Sequence, residues 1–301
     1  MATREATSSA AEAAAEGPDG RAPRTGRTAF RAWIGNRRAQ VGLAVIVALA
    51  AFCYLGPFVY HTNQVKVNLG NATLPPGSGD PLGTDGSGYD VLGRLMIGGQ
   101  SSLELGFAVA IASPVLGTVY GAIAGWAGGI VDTVMMRVLD TFLALPTLVL
   151  LLLLVTVFSP NLAAIILLLT FLSWLSAARL VRGEVLALRT REYVQAAKTM
   201  GSGQWRIMLR HLVPNAVGVI VVNATFTIAD SILWLSTLSF LGLGLPPPAA
   251  DWGSMLSNGL DYLFDGYWWM VYPPAAILII TLIAFNLIGD AARDSLDVRL
   301  R

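Results

Sequence analysis

Long runs without charge constrain this chain more than any other feature of its sequence. Residues 141–178 contain no charged side chain over 38 consecutive positions, whereas a helix needs roughly 20 apolar residues to cross the hydrocarbon core of a bilayer. One helix cannot use so long a run, and Ser159-Pro160-Asn161 interrupts it with turn-forming residues. The run therefore predicts two membrane spans joined by a tight turn.

Further apolar runs predict an all-α polytopic membrane protein with six transmembrane helices. We place these spans at about 41–60, 103–125, 133–157, 161–181, 215–238 and 269–289. The composition agrees, because 54% of the residues are hydrophobic and 13% are charged, against about 25% charged residues in a typical soluble domain. A net charge of +1 gives no indication of nucleic-acid binding.

The positions of Lys and Arg predict that both termini are cytoplasmic, since cytoplasmic loops of membrane proteins are enriched in these residues. In that orientation 18 of the 20 Lys and Arg residues lie at the cytoplasmic face, and Lys66 and Arg94 lie outside. The expected organisation is a disordered cytoplasmic tail (1–30), a region with the first span and an outer loop (31–100), a core of five spans (101–290) with a cytoplasmic loop (182–215), and a cytoplasmic C-terminal tail (291–301).

The polar stretch EYVQAAKTMGSGQWRIMLRHLVPN, residues 192–215, predicts a helix–turn–helix on the cytoplasmic face. Apolar residues lie at helical spacing on both sides of a Gly-Ser-Gly break: Tyr193, Ala196, Ala197 and Met200 before it, and Trp205, Met208, Leu209 and Leu212 after it. Gly201 should end the first helix, Ser202 should cap the second, and Pro214 should mark the turn towards the fifth span. The periodicity leaves open whether these stripes pack on the chain itself, bind a partner or lie on lipid.

Asp230 is the one ionisable residue deep in a predicted span, where a lone charge costs about 2.5–3.5 kcal/mol on insertion scales. We therefore expect it to face the interior of the helix bundle. Asn223, Thr227 and Trp234 lie on the same helix face at positions i−7, i−3 and i+4. This stripe is interpreted either as the lining of a solute path or as a hydrogen-bond clamp between helices.

The sequence predicts no catalytic residue, no metal site and no cofactor in this chain. The phosphate-binding pattern G-x-x-x-x-G-K-[ST] is missing, because neither Lys66 nor Lys198 stands in such a context. His61 and His211 are predicted to lie on opposite sides of the membrane, which excludes a histidine-based metal or catalytic site.

Six segments between about residue 31 and the C-terminus resemble ABC-importer permeases, in particular the second-permease type of the dipeptide/oligopeptide/nickel branch. They are NRRAQVGLAVIV (36–47), DPLGTDGSGYDVLGRL (80–95), GWAGGIVDTVMMRVLDTFLALP (125–146), QAAxxxG (195–201) with LVPN (212–215), LSFLGLGLPPPAADWGSML (238–256) and AFNLIGDAARDSLDVRL (284–300). The family usually has Glu at the position of Gln195, and the frame Ala-Ala-x3-Gly that follows is kept.

The resemblance implies a type I ABC-importer permease fold in the bacterial cytoplasmic membrane. It implies as partners a sister permease, two ATP-binding subunits that hold ATP and Mg²⁺, an extracytoplasmic substrate-binding protein and membrane lipid. Residues implied to couple the chain to the ATP-binding subunits are Glu192, Tyr193, Gln195, Ala196, Ala197, Met200, Gly201, Trp205, Arg210 and Pro214. Residues expected to meet the binding protein are Asp85, Tyr89, Asp90 and Trp252.

The function implied by the resemblance is ATP-driven import of di- and oligopeptides. Within the same family, the alternative is import of a nickel chelate or another small ligand. From other classes, the alternatives are an ATP-independent secondary transporter or channel, and a membrane enzyme or scaffold. The sequence shows no inverted repeat and no paired intramembrane acids suited to proton coupling, which argues against a secondary transporter.

Overall fold

The computed structural model describes residues 33–62, 64, 66–77, 79–158 and 161–297. The predicted tail 1–30 and the turn residues Ser159 and Pro160 lie outside these ranges. The helices are α1 (Arg37–Val59), α2 (Val91–Ala127), α3 (Gly129–Leu143), α4 (Thr147–Val157), α5 (Leu162–Leu188), α6 (Glu192–Thr199), α7 (Gln204–Ile207), α8 (Val213–Phe240), α9 (Trp252–Leu263) and α10 (Tyr272–Asp297).

Within the described ranges, five helices are long and apolar enough to cross a membrane. They are α1, α2, α5, α8 and α10 together with the short turn before it. The bent pair α3 and α4 brings the number to six if the pair counts as one span. An all-helical polytopic membrane protein is therefore confirmed for the described residues, and the exact count of six stays a prediction.

The third predicted span, 133–157, is not one straight helix. It is divided into α3 and α4, whose axes differ by 81° across the break after Leu143. Pro146 supplies the physical reason, because proline disfavours helical geometry in the residue before it and cannot donate a backbone hydrogen bond. The chain therefore leaves α3 at Ala144 and begins α4 at Thr147.

Helix α2 begins twelve residues before the predicted span, at Val91. The Asp90 carboxylate fixes this start by accepting hydrogen bonds from the N–H groups of Leu92 and Gly93. The helix has 37 residues, roughly 55 Å at 1.5 Å per residue, and so extends beyond a hydrocarbon core of about 30 Å. The outer loop expected at the end of the region 31–100 therefore ends at residue 90. Similarly, the predicted C-terminal tail from residue 291 continues α10 as far as Asp297.

Helices α2 and α5 pack closely through glycines on α2. A Cβ atom at Gly117 would lie 2.5 Å from the Cβ of Ala177, and one at Gly125 would lie 2.9 Å from the carbonyl oxygen of Arg182. At Gly121 it would overlap the carbonyl oxygen of Ala178. Small residues of this kind let transmembrane helix backbones approach one another closely.

Two ion pairs join α3 to α5. Arg182 binds Asp132 through Nη2 at 2.6 Å, and Arg179 binds Asp140 at 2.6 Å. The sequence favours a structural role for Asp132, Arg137 and Asp140 because Arg137 and Asp140 have i, i+3 spacing, but Asp140 pairs with Arg179 of the neighbouring helix and not with Arg137. A pair between helices depends on the tertiary fold, which residue spacing along one helix does not reveal.

The α2–α5 packing predicts that Gly121→Ala destabilises the protein. The added methyl group has to displace the α5 backbone, and overpacking of this kind costs about 1–3 kcal/mol. We expect a lower midpoint of heat-induced loss of monodisperse protein in detergent, measured by size-exclusion chromatography. Gly183→Ala on α5 is the matched control, since a Cβ there meets no atom within 4 Å. Equal midpoints for the two variants would contradict the packing argument.

Candidate functional site

The segment 192–215 begins with α6, which ends in a left-handed turn at Gly201. The N–H of Gly201 donates to the carbonyl of Lys198, and the N–H of Ser202 donates to the carbonyl of Ala197. This is the Schellman arrangement, which requires a positive φ at the residue after the cap. Gly201 has φ of 78°, so its predicted place as the helix stop is confirmed.

The expected capping role of Ser202 is wrong. The residue that precedes α7 is Gly203, and no side chain caps that helix.

The turn predicted at Pro214 does not follow α7. Helix α7 continues through a π-helical turn, Met208–Leu212, directly into α8. A proline ring clashes with the carbonyl four residues earlier in a regular helix, and a wider π-turn before Pro214 removes that conflict. The predicted loop 182–215 is therefore much shorter, since α5 extends to Leu188 and the second helix merges with α8.

One face of this segment packs on the transmembrane helices. Its buried residues contact Ala122 of α2 and Val181 and Val185 of α5. They are Val194, Ala197, Ile207, Met208 and Leu212. The predicted stripes thus include Ala197, Met208 and Leu212 on the inner face, and self-packing accounts for these three.

The other members of the predicted stripes point away from the chain. We call Tyr193, Ala196, Met200, Trp205 and Leu209 the exposed apolar face. Met200 is 78% exposed, Trp205 66% and Leu209 64%. Large apolar side chains exposed together in this way are typical of a surface that another molecule covers.

Gln195 connects α6 to the end of α5. Its Nε2 donates a hydrogen bond of 3.0 Å to the carbonyl of Arg189, and Nη1 of Arg189 donates in turn to the carbonyl of Gly125 at 3.0 Å. A carboxylate at position 195 could not donate to that carbonyl. Of the remaining predicted coupling residues, Glu192, Arg210 and Pro214 are exposed.

A cleft at the membrane-spanning level brings together all four residues of the predicted pathway stripe. Asn223, Thr227, Asp230 and Trp234 of α8 line a cavity of about 170 Å³. The facing walls come from α5 and from the break between α3 and α4. Those lining residues are Leu143, Thr147, Leu169, Leu172, Ser173 and Ser176.

The side chain of Asp230 has no hydrogen bond or ion pair with any part of the chain that the structure describes. A hydrogen-bond clamp between helices is therefore not formed within this part of the molecule.

The sequence pattern did not single out two further cleft residues, Ser173 and Ser176. They lie one helical turn apart on the same side of α5, and this spacing is the signal that could have identified them.

The outer residues expected to meet a binding protein are mostly buried. Asp90 and Tyr89 are each 5% exposed, and Trp252 is fully buried with its indole N–H donating to the carbonyl of Leu95 at 3.1 Å. The guanidinium of Arg94 lies over the ring of Tyr89, with Cζ of Arg94 4.5 Å from the centroid of that ring. These three side chains thus support the end of the bundle that is predicted to be outer, and they offer no surface for direct contact. Asp85 is half-buried, and its carboxylate accepts from the N–H groups of Ser87 and Tyr89.

Burial also changes the acidity of the outer carboxyl groups. It raises the pKa of Asp90, although hydrogen bonds from the N–H groups of Gly93 and Leu92 act in the opposite direction. Burial likewise raises the pKa of Asp251, which accepts hydrogen bonds from Ser239, Ser254 and Gly253. Both carboxyl groups cap helices, so these shifts belong to structural positions.

Comparison with known families gives two matches along the chain. Residues 117–301 match the family described as binding-protein-dependent transport system inner membrane component. Residues 25–76 match the N-terminal transmembrane domain of oligopeptide transport permease C.

Curated relatives match most of the chain. The dipeptide transport system permease protein DppC of Bacillus subtilis is 39% identical over 91% of this chain and 85% of its own length. The oligopeptide transport system permease protein OppC of Escherichia coli K12 is 40% identical over 91% of each chain. A chain in a crystal structure of the MetNI methionine ABC transporter in inward-facing conformations aligns with a TM-score of 0.55 at 22% identity, over 69% of this chain and 97% of that one. That structural likeness shows a shared fold.

The left-handed turn predicts that Gly201→Ala loosens the end of α6. A non-glycine residue in this conformation costs about 1–2 kcal/mol, and about 1 kcal/mol raises the population of a locally open state roughly fivefold. We expect faster trypsin cleavage at Lys198 and Arg206 in the folded, detergent-solubilised protein.

Gly203→Ala is the matched control for this prediction. An added Cβ meets no atom within 4 Å at either glycine, but Gly203 has φ of −61°, which any residue adopts. Equal cleavage rates for the two variants would show that backbone conformation at Gly201 does not hold the turn.

Proposed function

This chain belongs to the family of binding-protein-dependent transport system inner membrane components, and we propose that it is a permease subunit of an ABC importer for di- and oligopeptides. The observation that carries the proposal is the exposed apolar face on α6 and the α7–α8 helix, in a chain whose sequence has no phosphate-binding loop. Similarity to dipeptide and oligopeptide permeases supports peptide as the solute. The chain supplies the path, and ATP hydrolysis takes place on other subunits.

The proposed assembly has a sister permease, two ATP-binding subunits that hold ATP and Mg²⁺, and an extracytoplasmic substrate-binding protein. The exposed apolar face would contact an ATP-binding subunit. Its large side chains, Met200, Trp205 and Leu209, flank the small Ala196, which allows close approach of a partner surface. Asp85 remains the candidate for contact with the binding protein, because it is accessible where Tyr89, Asp90 and Trp252 are not.

The proposed orientation has both termini in the cytoplasm of a bacterial cell and six crossings, with α3 and α4 together forming one. The distribution of Lys and Arg supports it. In this orientation the exposed apolar face and the ion pairs of Asp132 and Asp140 lie at the cytoplasmic side. The α9 helix and Trp252 lie at the outer side.

The proposed mechanism transmits movement along one helix. Trp205 of the exposed apolar face and Asp230 of the cleft lie on the same uninterrupted helical stretch, Gln204 to Phe240. The 25 residue steps from Trp205 to Asp230 span roughly 38 Å at 1.5 Å per residue. Closure of the ATP-binding subunits would push on one end of this rod and change the access of the cleft at the other.

This assignment predicts that Met200→Glu weakens binding of the ATP-binding subunits. The substitution places a charge in the proposed interface, while the 78% exposure of Met200 means that the isolated chain tolerates it. We expect the subunit to bind at least tenfold more weakly, corresponding to about 1.4 kcal/mol. The measurement is co-purification of the subunits at graded concentration, together with ATP-dependent uptake of dialanine into vesicles.

Phe264→Glu is the control for this experiment. Phe264 is 96% exposed and lies at the end of α9, on the proposed outer side. The same chemical change there should leave binding of the ATP-binding subunits unaltered. If both variants lost binding equally, the loss would come from general destabilisation of the protein. If Met200→Glu bound the ATP-binding subunits as the wild type does, the proposed interface would be wrong.

A further inference from the structure

We propose that the cleft between α5 and α8 contains a binding subsite for an ammonium group, formed by the Asp230 carboxylate with the Trp234 indole beside it. The inference rests on the proposed function, because a peptide solute supplies such a group at its amino terminus. It assigns a ligand chemistry to residues for which the family match provides none.

The charge of the cleft favours a cation. Among its lining residues Asp230 is the one that ionises, and the others are apolar or carry hydroxyl, amide or indole groups. The neighbouring cavity shares Leu143 and Ser176 with the cleft and contains Arg179. That guanidinium is bound to Asp140 at 2.6 Å, so its charge is already compensated. The lining therefore leaves one negative charge available to a ligand.

The polar groups in the cleft are available for a ligand. The side chains of Asp230, Asn223, Ser173 and Ser176 make no hydrogen bond within the described part of the chain. Exposed threonines on the spans behave differently, since the hydroxyls of Thr225 and Thr237 donate to carbonyls of their own helix. Asp230 and Ser176 are exposed on this chain, and Asn223 and Ser173 are half-buried. Polar groups at membrane depth need partners, so four free ones in a single cleft indicate a place that water or a solute fills.

The positive charge and the hydrogen-bond donors of an ammonium group match the charge and the acceptors of the cleft. It has three N–H donors and no acceptor, while the cleft offers acceptors on the carboxylate, the amide oxygen and the two serine hydroxyls. The Trp234 ring lies one helical turn from Asp230 and lines the same cavity, and an indole face attracts cations. A metal ion fits less well, because the described residues contain no group of three or more His, Cys, Asp or Glu side chains that could hold one.

The first test replaces the charge at position 230 in the complete transporter. With the sister permease, ATP-binding subunits and binding protein reconstituted in vesicles, we expect Asp230→Asn to reduce ATP-dependent uptake of dialanine at least tenfold. Asp230→Glu should retain at least a third of the wild-type rate. Uptake is normalised to the amount of assembled complex, so that a loss of assembly is measured separately. Wild-type uptake by Asp230→Asn overturns the proposal.

The second test restores a charge at position 230 by chemical modification of an introduced cysteine. Asp230→Cys is treated with a negatively charged methanethiosulfonate or with a trimethylammonium one. We expect the negative reagent to raise uptake severalfold and the positive reagent to leave it low. Cys53 is fully buried, and the wild-type complex treated in the same way is the control. Equal responses to the two reagents overturn the proposal.

Two further outcomes distinguish failure of the ammonium subsite from failure of the proposed function. If Asp230→Asn loses the sister permease but keeps normal uptake per assembled complex, Asp230 is an assembly residue and the ammonium subsite is wrong, while the proposed function stands. If the wild-type complex takes up no dialanine, the proposed function as a peptide permease fails, and the inference fails with it.

Discussion

The close approach of α2 and α5 is the contact on which the rest of the structure depends. Glycines on α2 remove the side chains that would separate the two backbones, most severely at Gly121 against Ala178. Where the pair reaches one end of the bundle, Ala122, Val181 and Val185 form the floor on which the 192–212 segment packs. The direction in which the exposed apolar face points is therefore set by helix packing within the spans.

The second half of the segment 192–215 and the α8 residues of the cleft lie on one continuous helix. Val194 and Ala197 hold α6 against the floor, and the Gly201 turn passes the chain to a helix that continues through a π-turn to Phe240. In the proposed mechanism, a flexible loop between the exposed apolar face and the cleft would absorb a push from a partner. A continuous helix would transfer it, and the π-turn at Met208–Leu212 is the place where its pitch differs.

The sequence predicted the elements whose signals are local. Uncharged runs located the spans, a glycine located the end of α6, and helical spacing placed Asp230 with Asn223, Thr227 and Trp234. Features that depend on distant residues were predicted wrongly or missed. The partner of Asp140 is Arg179, 39 residues away, and the buried position of Trp252 depends on its contact with Leu95 of α2. The break at Pro146 was missed because the residues around it are as apolar as the spans themselves.

That break also constrains which substitutions the surrounding helices can accept. At membrane depth, a helix can be interrupted where the freed backbone groups face protein or a water-filled space, and not where they face lipid. Leu143 and Thr147, on either side of the break, both line the cleft. The bend and the cavity therefore depend on each other structurally. A mutation that straightened the α3–α4 pair would remove part of the cavity wall, and a mutation that filled the cavity would leave the freed backbone groups at the bend without solvent.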